Sequence, residues 1–189
     1  MDDIVKQAMF KWPNVPDCYD WLGLDARGNW YMRDEAAQKY ASFQQACASR
    51  EGGSPGKGSK LQHDKLIQFI ARNYQADRDG RWYFQNGPQR VYVELEQTPW
   101  VYRVNSDATV ETHTGLILPP TGALVDELGH VYVLTEVGVG LVHTQDVYAA
   151  AQAIEASRWP LCEICSANMP NRHGYVLSPA TVWRICQPQ

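Results

Sequence analysis

One turn recurs along this chain. Asp25-Ala-Arg-Gly28-Asn-Trp30-Tyr31 and Asp77-Arg-Asp-Gly80-Arg-Trp82-Tyr83 share the pattern D-x-x-G-x-W-Y, and Asp126-Glu-Leu-Gly129-His-Val131-Tyr132 repeats it with Val for Trp. An aspartate can hydrogen-bond its own backbone two residues on, and glycine takes a positive φ without a Cβ clash. Each copy should therefore close a tight loop between strands. The two residues that follow then point to opposite faces of the outgoing strand. Trp30 and Trp82 are expected to share one facing, and Tyr31, Tyr83 and Tyr132 the other. The copies begin 52 and 49 residues apart, a period that invites comparison with propeller blades. Three units fall short of the usual minimum of about four blades, and the segment between the first two reads as helical. The repeat is hairpin punctuation.

Other periodicities fill in the chain. Residues 2–11 read as a short helix, with Ile4, Val5, Ala8 and Met9 on one side and Pro13 and Pro16 ending it. Asp34 is placed to cap a helix whose stripe runs Ala36, Tyr40, Phe43, Cys47. Ser59 to Gln62 has the form of a capping box opening a third helix, with Ile67, Ile70, Ala71 and Tyr74 on its apolar face. Asn86-Gly87 between two strand-like runs is a strong hairpin signal, and WVYRV-NSDA-TVETH and GALV-DELG-HVYVL read as further hairpins. Thr144 is placed to cap a last helix through Val147, Ala150, Ala151 and Ile154. These signals predict an α+β fold: a mostly antiparallel sheet built from β-hairpins and covered by three or four helices. Residues 1–158 would form the domain, interrupted by a flexible linker at 50–59, and residues 159–189 a cysteine-containing tail without sustained period.

Composition narrows the function. The net charge is −4 and the isoelectric point about 5.7, which disfavours a nucleic-acid or anionic-membrane binder. No apolar run approaches the roughly 18 residues of a membrane span, and the opening MDDIVKQAMFKWP lacks the basic flank and apolar block of a signal peptide. A cytosolic protein with reduced cysteines is expected.

MDDIVKQA, WPNVP, LDARGNWYMRD and RDGRWYFQNGPQRVYV resemble an uncharacterised family of proteobacterial cytosolic proteins, a domain of unknown function. The resemblance spans roughly the first 145 residues and implies no activity, cofactor or catalytic residue.

Catalytic and cofactor motifs are weak. Gly52 to Gly56 is one residue short of a phosphate loop, and Lys57 is followed by Gly58 where a hydroxyl is needed. Arg81 stands where a calcium loop from Asp77 and Asp79 would need a ligand. Glu94 and Glu96 share a strand face and read as an exposed polar edge. There is no G-x-S-x-G elbow. Cys162-x-x-Cys165 with His173 and Cys186 is the one set with zinc chemistry, since zinc takes four sulfur or nitrogen ligands. Without a second knuckle, no cofactor is expected. The richest surface chemistry lies elsewhere. Arg78, Arg81, Trp82, Arg90, Tyr92, Trp100 and Arg103 interleave guanidinium groups with aromatic rings, the residue types that dominate protein interfaces. The expectation is a non-catalytic binding protein with a protein or peptide partner, or a second copy of itself. An enzyme whose site assembles only in three dimensions is the rival.

Overall fold

The computed structural model describes residues 1–49 and 54–186. Its α+β architecture falls into two compact units. One comprises Met1–Asp25, Asn29–Glu96 and the C-terminal segment from Tyr175; the other comprises Ala26–Gly28 and Gln97–Gly174. Each unit is built on its own mixed sheet, so the single sheet expected from the hairpins is corrected to two.

The first unit holds strands β1 (Cys18–Leu24), β2 (Trp30–Met32), β3 (Ser59–Lys60), β4 (Tyr74–Ala76), β5 (Trp82–Asn86) and β6 (Gln89–Leu95), in the order β3-β2-β1-β6-β5-β4. Neighbours pair antiparallel except β1 and β6, which run parallel at the centre. This pairing joins segments some seventy residues apart, which hairpin signals do not report. Trp30 and Trp82 do share a facing: Tyr74 meets the Trp30 ring edge-on at 5.2 Å and the Trp82 ring at 4.8 Å. Strands β2 and β4 are four spacings of about 4.8 Å apart in the sheet, so the sheet must curl for those rings to touch. Helix α4 (Asp64–Arg72) covers this concave side through Ile70 and through Phe69, which packs edge-on to Phe84 at 5.4 Å. On the opposite side Gly23 lies flat beneath the Phe43 ring; a Cβ there would stand 2.4 Å from it.

Four helices besides α4 belong to this unit: α1 (Asp3–Lys11), α2 (Glu35–Tyr40), α3 (Phe43–Ala48) and α7 (Pro179–Cys186). The single stripe from Ala36 to Cys47 is in fact two helices. Ala41 is extended, and Ser42 starts α3 with a genuine capping box to Gln45. The capping box expected at Ser59–Gln62 is absent. Ser59 sits in β3, and α4 begins after His63, whose ring nitrogen accepts from the Leu66 amide. Within the expected linker, residues 50–53 lie outside the described residues, while Pro55–Lys57 forms a 3-10 turn that leads into β3.

The second unit holds β7 (Trp100–Val104), β8 (Val110–Thr112), β9 (Ile117–Leu118), β10 (Gly122–Val125), β11 (Val131–Thr135), β12 (Gly138–Val142) and β13 (Leu161–Glu163), in the order β13-β10-β11-β12-β7-β8-β9. Pairs β12–β7 and β10–β13 are parallel. Helix α5 (Val147–Glu155) buries Ala150 and Ala153, and α6 (Met169–His173) buries Met169. His143, not Thr144, supplies the cap before α5, its ring nitrogen accepting from the Gln145 amide at the start of a 3-10 turn. Residues expected as an aperiodic tail supply β13 and α6 to this unit and α7 to the first.

The repeated turn has one construction. In each copy the aspartate amide donates to the carbonyl four residues on, while one carboxylate oxygen accepts that residue's amide and the other accepts its side chain. The acceptor–donor distances are 2.8 and 3.0 Å for Asp25 with Asn29, 3.0 and 2.8 Å for Asp77 with Arg81, and 2.8 and 2.9 Å for Asp126 with His130. Gly28, Gly80 and Gly129 have φ of 79°, 77° and 79°. Two degenerate copies escape the sequence pattern. Asn105–Thr109 keeps the backbone bond with Ala108 at φ 66°, but the Asn105 amide donates to the Thr109 hydroxyl and Asp107 accepts the Thr109 amide; Thr112–Leu116 closes with Gly115 at φ 90° and the Thr112 hydroxyl accepting in place of a carboxylate.

Ala108 therefore carries strain that the equivalent glycines avoid. Ala108→Gly should raise stability by about 0.5–1 kcal/mol, the relief of the left-handed conformation less the entropy glycine loses on folding. Gly129→Ala, with open space around the new Cβ, should lower it by about 0.5–1 kcal/mol by the same balance. Urea denaturation of the two variants checks both signs.

Candidate functional site

The turn at Asp77 places Arg81 beside the outgoing strand β5, and the β5–β6 hairpin sets Tyr83 directly opposite Tyr92 and Gln85 opposite Arg90. These four face the convex side of the first unit's sheet. Arg81 lies over the Tyr92 ring at 5.3 Å and Arg90 over the Tyr83 ring at 5.1 Å. Tyr19 of β1 stacks on Tyr92 with centroids 4.7 Å apart, and Trp183 of α7 stacks on Tyr19 at 5.0 Å. The result is an aromatic ladder, Trp183–Tyr19–Tyr92, bordered by two guanidinium groups.

Asp77 ties the cluster together. Its carboxylate accepts from the Asp79 and Arg81 amides, from Arg81 Nε at 2.8 Å and from the Tyr92 hydroxyl at 3.0 Å. Burial alone would raise its pKa, but these hydrogen bonds hold it below the usual carboxylate range. Burial pushes the Tyr92 hydroxyl up to about 12, so it stays a donor. Arg81 is committed to Asp77 and Asp79. Arg90 forms no ion pair among the described residues; it feels Asp17 electrostatically and reaches the Tyr92 hydroxyl. Three arginines (Arg78, Arg81, Arg90) face three aspartates (Asp17, Asp77, Asp79), so the region is close to neutral.

α7 is anchored over this face by polar joints. Glu94, 1 % exposed, accepts the Ala180 amide at 3.0 Å near the first turn of α7, while the Ser178 hydroxyl caps Thr181. The reading of Glu94 as part of an exposed strand edge is thus corrected: it is buried, and burial raises its pKa against the hydrogen bonds that hold it. Arg184 donates to Asp20 at 2.6 Å. Asp20 also pairs with Arg33, a fully buried guanidinium that donates to the Gly56 carbonyl and to the Ala37 carbonyl in α2. Asp20 has φ 68° at a bulge in β1, a conformation that costs about 1–2 kcal/mol in a non-glycine residue and is held here by the two arginines.

The seven interleaved residues are not one surface. Arg81, Arg90 and Tyr92 come together. Trp82 faces the concave side against Tyr74, and Arg78 is exposed on the turn itself. Trp100 and Arg103 belong to the second unit, where Trp100 is 6 % exposed and donates to the Val137 carbonyl and Arg103 pairs with Asp146. Sequence reading missed Tyr19 and Trp183 because each joins the cluster through β1 or α7, remote in the chain. Of the zinc set, Cys162 lies on β13, Cys165 just beyond it, His173 at the end of α6 and Cys186 at the end of α7. Among the described residues no three His, Cys, Asp or Glu side chains gather as a metal would require.

A second polar cluster lies in the first unit. Lys57 contacts Asp25 at 3.3 Å, Glu96 at 3.9 Å and the Tyr31 ring at 4.6 Å, with Cys47 alongside. It unites a thiol and carboxylates, as a nucleophilic site would. Its protonation states oppose that role. Burial and then Glu96 push the Cys47 thiol to about 12, and Lys57 is raised by its neighbours despite burial. General acids and bases work best with pKa values near the ambient pH, so this cluster reads as a structural ion cluster.

Two outcomes follow. Asp77→Asn should cost about 2 kcal/mol at neutral pH by weakening charged, largely buried hydrogen bonds. Because the folded pKa is depressed, the native contribution is complete above the ordinary value of 3.8 and is lost as pH falls through the folded value. The stability gap between variant and parent should therefore narrow on acidification, as measured by urea unfolding across pH. With limiting iodoacetamide at neutral pH, mass spectrometry should find the exposed Cys162, Cys165 and Cys186 modified first and Cys47 last.

Residues 1–180 match the family model DUF2944, described as a protein of unknown function (DUF2946). Comparison with curated proteins gave no match. Among solved structures, a DUF1285 family protein from Shewanella baltica OS155 is similar at 15 % identity and a TM-score of 0.47, over 73 % of this chain and 95 % of its own. A DUF1285 family protein from Silicibacter pomeroyi DSS-3 is similar at 15 % identity and a TM-score of 0.46, over 74 % of this chain and 72 % of its own. The chain belongs to the DUF2944 family of proteins of unknown function.

Proposed function

We propose that this is a cytosolic, non-catalytic interaction protein that engages a protein or peptide partner through Arg81 and Arg90 of its first unit, whose guanidinium groups cover the buried Tyr92 and Tyr83 rings. The observation that carries the reading is Arg90: a half-exposed guanidinium pre-positioned over a tyrosine ring, without an ion-pair partner among the described residues. Arginine is among the side chains that most often dominate binding energy at interfaces, and a guanidinium already stacked loses little freedom on docking. No helix among the described residues is long and apolar enough to cross a membrane. The balance of three arginines against three aspartates favours a mixed protein surface over a nucleic-acid backbone.

The test is capture from the native cell on the immobilised chain, followed by titration of the purified partner. Arg90→Glu should weaken the partner by about tenfold or more, whereas Lys39→Glu on the exposed face of α2 should leave it unchanged. Because the face is near neutral, affinity should change little between about 50 and about 500 mM salt. A partner retained equally by Arg90→Glu, or one released by salt as a polyanion would be, overturns the proposal.

A further inference from the structure

The concave side of the same sheet carries a second feature, independent of the Arg–Tyr face. Strands β1, β5 and β6 and helix α4 enclose a cleft of about 240 Å³. Leu22, Phe84 and Val91 form its floor, and Leu66 and Ile70 of α4 form one wall. Trp21 and Met32 form the other wall and remain 45 % and 48 % exposed.

The wall depends on the bulge at Asp20. Consecutive residues of a regular strand point to opposite faces, yet Trp21 and Leu22 both line this cleft. The left-handed Asp20, fixed by Arg33 and Arg184, redirects the strand so that a large indole joins the apolar side. A strained, doubly ion-paired residue thus holds a half-exposed tryptophan at the cleft. Water is held poorly where the walls offer it few polar partners.

Besides the Cys18 thiol, the polar side chains of the lining are Asn86 and Gln89, which flank the β5–β6 turn. The Asn86 amide makes no side-chain hydrogen bond among the described residues and is exposed. Gln89 uses its amide nitrogen on the Pro16 carbonyl at 3.0 Å, which leaves its oxygen to accept. The cleft therefore offers an apolar body with a donor and an acceptor at its mouth. A cavity of about 150 Å³ already holds benzene, so this one has room for a fused bicyclic ring.

We propose that the first unit binds a small, uncharged aromatic molecule of about indole size, with one hydrogen-bonding group directed at Asn86 and Gln89. Apolar walls with a few placed polar groups are the ordinary make-up of small-ligand sites.

Indole is the probe. Titrated into the full chain and followed by methyl NMR, it should bind saturably, with a dissociation constant in the millimolar range or below and shifts concentrated on Leu22, Leu66, Ile70 and Val91. Leu66→Trp, which fills the cleft from a half-exposed position on α4, should weaken binding by about tenfold or more. Asn86→Ala, at an exposed position, should weaken it severalfold and leave circular dichroism unchanged. If Leu66→Trp does not fold, the shift map and Asn86→Ala decide. The proposal is overturned by non-saturating shifts, by shifts centred on other methyl groups, by unchanged affinity in a folded Leu66→Trp, or by binding of a tryptophan-containing peptide but not of indole. None of these readouts involves Arg90, so failure here leaves the interaction face untouched.

Discussion

A carboxylate turned inward at a tight turn is the unit from which most of this protein is assembled. Asp25, Asp77 and Asp126 each engage both oxygens with donors from the residue four positions on, and a glycine supplies the one left-handed step that lets them. The arrangement is self-contained, so it works wherever the chain places it. It needs only the aspartate, a glycine three residues on and a side-chain donor one residue after that, whatever stands between. That is why it recurs in both units, and why weaker versions at Asn105 and Thr112 still close the same loop.

The turn at Asp77 also shows how one carboxylate organises the rings and guanidinium groups around it. The same carboxylate that closes the loop accepts from Arg81 and from Tyr92 on the next strand. Arg81 is thereby held over one ring of an aromatic ladder whose other rungs come from β1 and α7. The guanidinium groups are structural at their inner edge and available at their outer one. Arg90 differs from Arg81 in forming no ion pair among the described residues, which is why the proposed interaction centres on it.

The legibility of the fold followed the range of the interactions. Asp34 at the start of α2 and Asn86-Gly87 between β5 and β6 act within four residues, and the structure agrees with both. Ser59 matched a capping box just as well, yet Ser59 and Lys60 pair with Met32 and Tyr31 as an edge strand. A cap yields about 1 kcal/mol, and the pairing with β2, continued by the Leu61 amide on the Trp30 carbonyl, outweighs it. Glu94 illustrates the same limit. Its alternation with Val93 and Leu95 is what an exposed strand face looks like, and nothing local reveals that α7, more than eighty residues on, would bring amide donors to it.

By itself the sequence determined where the chain reverses, which residues flank each reversal, and that the protein mixes hairpins with short amphipathic helices. These follow from local hydrogen bonding, positive φ and side-chain period. Only the tertiary structure decided that the hairpins divide between two sheets, that β1 runs parallel to β6, and that Tyr19, Tyr92 and Trp183 stack in one ladder. Those outcomes depend on which apolar faces bury each other across long stretches of chain, a free-energy balance that no window of neighbouring residues contains.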